Sequence, residues 1–211
     1  MLASASPRRR AILAALGLAF DIVEADVDER ILPDETPEQA ALRLAVAKAR
    51  AGAAVHSNCI ALGADTVVAV GARALGKPAS AGDAVETLSR LRGRSHRVLT
   101  GVAAAVASDD GQPAIFSRLA ATSVWMRDYT DDAIREYVAS GDPLDKAGSY
   151  AIQAPIFRPV ERIEGCFLTV VGLPLPEVLE VLALAGLPVP PITAAALAGI
   201  CPSCTDAARL L

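Results

Sequence analysis

The residues most able to do chemistry stand at three places along the chain. Ser4-Ala5-Ser6-Pro7-Arg8-Arg9-Arg10 runs straight into an apolar helical pattern, so two hydroxyls and three guanidinium groups gather at a helix start. Ser6 suits the N-cap, and Pro7 suits the first helical position, where its missing N–H is not needed. Ile12, Leu13 and Leu16 then share one face before Gly17 ends the helix. Free N–H groups at a helix start with cations beside them favour a bound phosphate. A capped surface helix with a solvated basic turn has the same local signature.

The second place is Asp65, in Gly63-Ala64-Asp65-Thr66, which interrupts an apolar, β-branched stretch. A carboxylate at the end of an apolar strand is badly placed for a core and well placed at a crevice, where open α/β sheets hold ligands. A turn or cap aspartate reads the same way. The third place is a pair of lysines. Lys48 shares a helical face with Leu44, and Lys77 lies in the tight turn Gly76-Lys77-Pro78. Either could also be a lysine that snorkels from an apolar surface.

A carboxylate with several cations near a helix N-terminus is the equipment of phosphoryl chemistry. Cations and a metal offset charge on the transferring and leaving oxygens, while the acid positions a water or the metal. Asp26, Asp28 and Glu29 add acids after a strand, with Glu29 a candidate metal ligand; a solvated acidic loop is the other reading. No G-x-x-x-x-G-K-[ST] loop and no G-x-G-x-x-G helix opening occurs. His56 and His96 are far apart, nothing resembles a Ser-His-Asp or Cys-His framework, and His96 reads as structural or peripheral.

Strands and helices alternate around these residues, as in α/β folds. Strands are expected at 20–24, 59–62, 67–70, 98–107, 114–126, 160–163 and 166–171, with the fourth and fifth forming a hairpin. Helices are expected after Ser6, after Thr36 with a capping box to Gln39 and on towards Val55, after Ser80, after Thr130 and from Pro174 to near Gly186. Residues 142–153 read as a polar loop.

The 211 residues carry a net charge of −4 with both signs interspersed, which argues against a surface that tracks long nucleic acids. Much of the 53% hydrophobic content is alanine, no apolar run is long enough to span a bilayer, and the basic start lacks a small-residue cleavage site. The expectation is a cytoplasmic protein with no membrane partner. Cys59 and Cys166 sit singly in apolar runs and suit reduced core positions. Residues 1–186 read as one compact domain and 187–211 as an appended tail. Its Cys201-Pro202-Ser203-Cys204 supplies half of a four-cysteine zinc site, so an unstructured or packing tail is the preferred reading.

Six motifs, in order, carry a resemblance. They are Ser4-Ala5-Ser6-Pro7-Arg8-Arg9, Gly63-Ala64-Asp65-Thr66-Val67-Val68, Gly76-Lys77-Pro78, Gly93-Arg94-Ser95-His96 with Thr100-Gly101-Val102, the stretch Asp145 to Gln153, and Gly172-Leu173-Pro174-Leu175. From about Leu2 to Gly186 the chain resembles the Maf-type nucleoside triphosphate pyrophosphatases. The resemblance implies an α/β fold with an elongated mixed β-sheet flanked by helices, and two lobes around a central nucleotide-binding cleft. It implies hydrolysis of a nucleoside triphosphate to monophosphate and pyrophosphate before the nucleotide can be incorporated, assisted by Mg2+ or Mn2+. Asp65 matches the proton acceptor, Ser6, Arg9, Lys48 and Lys77 match phosphate-holding positions, and Glu29 matches an acidic cleft position that could share the metal with Asp65. Arg8, Thr66 and Gln153 match the substrate-discriminating positions of the dTTP/UTP branch. A glutamine there offers a pyrimidine imide edge both a donor and an acceptor. The alternatives are the sister branch, which prefers 7-methyl-GTP, and a non-catalytic nucleotide-binding regulator of cell division. The resemblance also implies a homodimer.

Overall fold

The computed structural model describes residues 1–56, 59–107, 112–189 and 201. Its strands are β1 (Leu2–Ala3), β2 (Ile22–Val23), β3 (Ile60–Val70), β4 (Arg73–Leu75), β5 (Ser95–Val106), β6 (Ala114–Met126) and β7 (Val160–Glu164). Its helices are α1 (Pro7–Ala14), α2 (Pro37–Val55), α3 (Ala81–Leu91), α4 (Asp131–Ala139), α5 (Phe167–Val171) and α6 (Leu175–Leu184). The strands make one mixed sheet in the order β2-β1-β3-β5-β6-β7, with β4 also on β3. β1 runs parallel to its neighbours and all other pairs are antiparallel.

The sheet has a notch. On one side β3 pairs with β5 along Ile60 to Ala69, but on the other it meets β1 only at Leu62 and β4 only at Val68 to Val70. Among the described residues, no strand covers the edge of β3 from Gly63 to Val67. The notch separates two cores. One gathers Leu2, Ile12, Leu13, Leu62, Leu175 and Val178 beneath α1 and α6, and the other gathers Val68, Leu88, Val98, Met126, Ile134 and Tyr150 beneath α3 and α4. Each lobe is thus a helical cap on one end of the sheet.

α2 packs on the face of the sheet opposite these two cores, and its closeness explains the alanine content. Its inward face is Ala41, Ala45 and Ala49, and opposite stand Gly63 and Gly101. A Cβ added at Gly63 would lie 2.4 Å from the Ala45 carbonyl, and one at Gly101 would lie 2.3 Å from that of Ala41. Helix backbone packs on sheet backbone there. The helix starts at a full capping box, in which Thr36 Oγ1 accepts from Gln39 N and Gln39 Oε1 accepts from Thr36 N.

Several expectations are corrected. Residues 166–171 are not a strand: Gly165, at φ +126°, turns the chain after β7, and 167–171 wind into α5, closed by Gly172 at φ +110°. A helix of five residues is too short to show a period, and Thr169, Val170 and Val171 have strand-like side chains. The two segments 59–62 and 67–70 are one continuous β3, so Asp65 stands in mid-strand rather than at a strand end. β2 keeps only two of the five residues expected, β5 starts at Ser95, and β4 was not foreseen. The 142–153 loop contains 3-10 turns at Asp142–Asp145 and Ala147–Ser149. Leu187 and Val189 pack against the first core and Cys201 is buried within it. Residues 190–200 and 202–211, including Cys204, the second cysteine of the C-x-x-C, lie outside the described residues. No helix among the described residues is long and apolar enough to cross a membrane.

Candidate active site

A cleft of about 480 Å³ fills the notch in the sheet, within the usual range for a small-molecule site. Ser6, Arg8 and Arg9 line it from α1, Lys48 from α2, Asp65 and Thr66 from β3, and Glu29, Lys77 and Gln153 from loops. Residues far apart in sequence therefore converge because β1 and β4 end, and α1 begins, beside the uncovered stretch of β3.

Lys48 is the centre of the charge arrangement. Its Nζ lies 2.6 Å from Asp65 Oδ1 and 2.6 Å from Glu29 Oε1, while Lys77 Nζ reaches Glu29 Oε2 at 2.8 Å. Lys48 is only 7% exposed and Asp65 9%. Burying an ion pair costs several kcal/mol per charge before attraction returns any of it (~20 kcal/mol in the idealised limit), so this pair is no generic stabiliser. Partial burial pushes the Glu29 carboxyl up, but hydrogen bonds and attraction from Lys48 and Lys77 outweigh it and hold the group at about 2. Lys48 has three N–H donors and spends two on carboxylates, which leaves one for an incoming oxygen.

Arg9 is turned inward. Its Nε donates to the Gly172 carbonyl at 2.7 Å, Nη1 to the Ala64 carbonyl at 2.8 Å and to Ser4 Oγ at 3.4 Å, and Nη2 to Thr66 Oγ1 at 3.2 Å. The guanidinium thus caps the open edge of β3 beside Asp65 and ties it to the turn after α5. Four of its five N–H groups are spent on protein, and one remains. Burial lowers its affinity for the proton, and Asp65 opposes that.

Ser6 is the N-cap of α1 and its Oγ accepts from Arg9 N at 3.4 Å, so the positive end of the helix faces the cleft. Arg8 and Gln153 line the cleft, and their side chains form no hydrogen bond or ion pair with another described residue. Burial pushes the carboxyls of Asp142 and Asp145 up, but hydrogen bonds and attraction from Lys146, with Tyr137 at Asp142 and a small contribution from Arg8 at both, hold them below the ordinary range. His96 is buried, with Nε2 2.8 Å from the hydroxyl of Tyr150, which lines the cleft.

Two carboxylates converging on one ammonium also fit a divalent cation in chemical type, since both offer hard oxygen donors. Among the described residues no cluster of three or more ligating side chains occurs. That donor set suits Mg2+ or Mn2+, which accept one or two carboxylates and complete their shell with water and phosphate oxygens. Reasoning from the sequence overlooked Thr100 and Gly172, which buttress Thr66. The only available signal was their place in quoted motifs, since a strand threonine and a turn glycine are ordinary in themselves.

The family model for Maf-like protein matches residues 1–185. The chain belongs to the Maf family. A relative from Moorella thermoacetica is 47% identical over 189 residues, covering 90% of this chain and 96% of the relative. One from Geobacter metallireducens is 44% identical over 186 residues, covering 88% and 95%. One from Geobacter sulfurreducens is 44% identical over 180 residues, covering 85% and 93%. All three bear the name dTTP/UTP pyrophosphatase. In this Maf-family chain, residues from four of the six motifs line the cleft, while Thr100 and Gly172 support Thr66 from the other two.

Proposed function

We propose that this chain hydrolyses dTTP and UTP to the monophosphate and pyrophosphate, with residues 1–186 as the catalytic unit. The observation that carries the reading is the buried Asp65–Lys48–Glu29 cluster at the uncovered edge of β3, in a chain whose relatives bear that name. Asp65 takes or directs the proton of the water that attacks the α-phosphorus. The bond from that phosphorus to the bridging oxygen breaks, and pyrophosphate leaves.

Lys48 and Lys77 offset the charge that grows on the leaving oxygens, and the remaining N–H of Arg9 and the Ser6 end of α1 hold the phosphate chain. Asp65 and Glu29 are the residues that would hold Mg2+ or Mn2+. Bound there, the ion would add electrostatic stabilisation of phosphate charge. Arg8, Thr66 and Gln153 discriminate the nucleoside. The amide of Gln153 can both donate to and accept from a uracil or thymine imide edge.

The test is pyrophosphate release from dTTP, UTP and 7-methyl-GTP with Mg2+ or Mn2+, using wild type and Asp65→Asn. Release from dTTP and UTP that EDTA stops, and that Asp65→Asn lowers by about 10²–10⁴-fold, is the expected result. Preference for 7-methyl-GTP would contradict the assignment of substrate, and near-normal turnover by Asp65→Asn would contradict the mechanism.

A further inference from the structure

Behind Thr66, a line of hydroxyls runs into the protein, and counting protons fixes its direction. Thr100 Oγ1 lies 2.7 Å from the carbonyl of Thr169. A carbonyl only accepts, so the single hydroxyl proton of Thr100 is committed to it. Thr66 Oγ1 lies 3.0 Å from Thr100 Oγ1, and with the proton of Thr100 spent, Thr66 must be the donor between them. Thr66 Oγ1 also accepts from Arg9 Nη2 at 3.2 Å. The order is Arg9 to Thr66 to Thr100 to the Thr169 carbonyl.

Sheet register and packing keep this line in place. Thr66 and Thr100 are directly opposite on β3 and β5, Thr100 is fully buried, and a Cβ at Gly172 would come 3.0 Å from Thr66 Oγ1. A threonine hydroxyl has one proton and two lone pairs. For Thr66, which lines the cleft, the proton and one lone pair of the hydroxyl are used, so it has one lone pair left and nothing to donate.

We propose that Thr100 is a specificity-determining positioning residue, which holds the Thr66 hydroxyl as an acceptor so that it receives only a hydrogen-bond donor of the nucleotide. Phosphate oxygens, which only accept, are excluded as its partner. The donor is a base N–H or the 3′ O–H, the sugar hydroxyl that dTTP and UTP share. This inference rests on the pyrophosphatase reading given above.

The experiment compares kcat/KM for UTP, CTP and 3′-deoxy-3′-fluoro-UTP, in wild type, Thr66→Val, Thr100→Val and Thr100→Ser. CTP replaces the imide N–H by an acceptor, and the fluoro compound replaces the sugar hydroxyl by one. Thr100→Val frees the Thr66 proton to turn into the cleft, so one of the two ratios to UTP rises about tenfold, the scale of one hydrogen bond. The ratio that rises identifies base or sugar as the donor. Thr66→Val relaxes the same ratio, and Thr100→Ser restores the wild-type value because it keeps the hydroxyl. A purely structural role would slow all three nucleotides alike. Both ratios unchanged in Thr100→Val, or in Thr66→Val should the former not fold, would overturn the proposal. Failure of wild type to hydrolyse UTP would instead overturn the pyrophosphatase reading beneath it.

Discussion

Lys48 and Asp65 are the clearest cases of side chains that the fold buries against their own solvation preference. Both were legible in the sequence because each breaks an apolar pattern, one on a helix and one in a strand. Their mutual contact was not, because it depends on how α2 crosses β3. Arg9 and Thr66 show the opposite limit. The sequence marks both as site residues, but only the geometry reveals that Arg9 spends four donors on protein and fixes the Thr66 hydroxyl.

His96 carries a pH prediction at this scale. Burial lowers its imidazole from the ordinary 6.5 to about 4, so between these values the unfolded chain binds the proton and the folded chain does not. The stability from neutral His96 is complete above pH 6.5 and is lost as pH falls towards 4, by about 3 kcal/mol. Urea unfolding of wild type and His96→Gln across that range checks it. The substitution removes that share of the slope, whereas an equal slope in both proteins would refute the assignment.

Among the elements, α2 decides the site, since it brings Lys48 to β3. The capping box that starts it was readable from Thr36 and Gln39, because caps are local chemistry. The near-contact with the sheet was not, because Gly63 and Gly101 resemble turn or bulge glycines until the packing is seen. Gly101→Ala must push α2 outward, since the new Cβ would meet the Ala41 carbonyl at 2.3 Å. The expected cost is about 1–3 kcal/mol of stability, read by urea denaturation, with a fall in UTP turnover because Lys48 moves with the helix. Unchanged stability and turnover would show that the helix position is not constrained there. The misreading of α5 as a strand has a related cause, since one and a half turns between two positive-φ glycines leave no periodic trace.

At the scale of the whole molecule, function follows from what the sheet leaves uncovered. β1 and β4 each cover part of one edge of β3, and the stretch between them lies at the boundary of two separate cores. The α/β alternation was visible in the sequence, and the ordered motifs pointed to a cleft. The notch itself was not visible, because strands of two and three residues carry almost no pattern. It places Asp65 beside Lys48 and Arg9 in the cleft that the N-terminus of α1 faces, where the proposed attack at the α-phosphorus would take place. The most direct measurement is hydrolysis of UTP in 18O-labelled water with analysis of both products. The account predicts one labelled oxygen in UMP and unlabelled pyrophosphate; label in pyrophosphate, or release of UDP and inorganic phosphate, would contradict it.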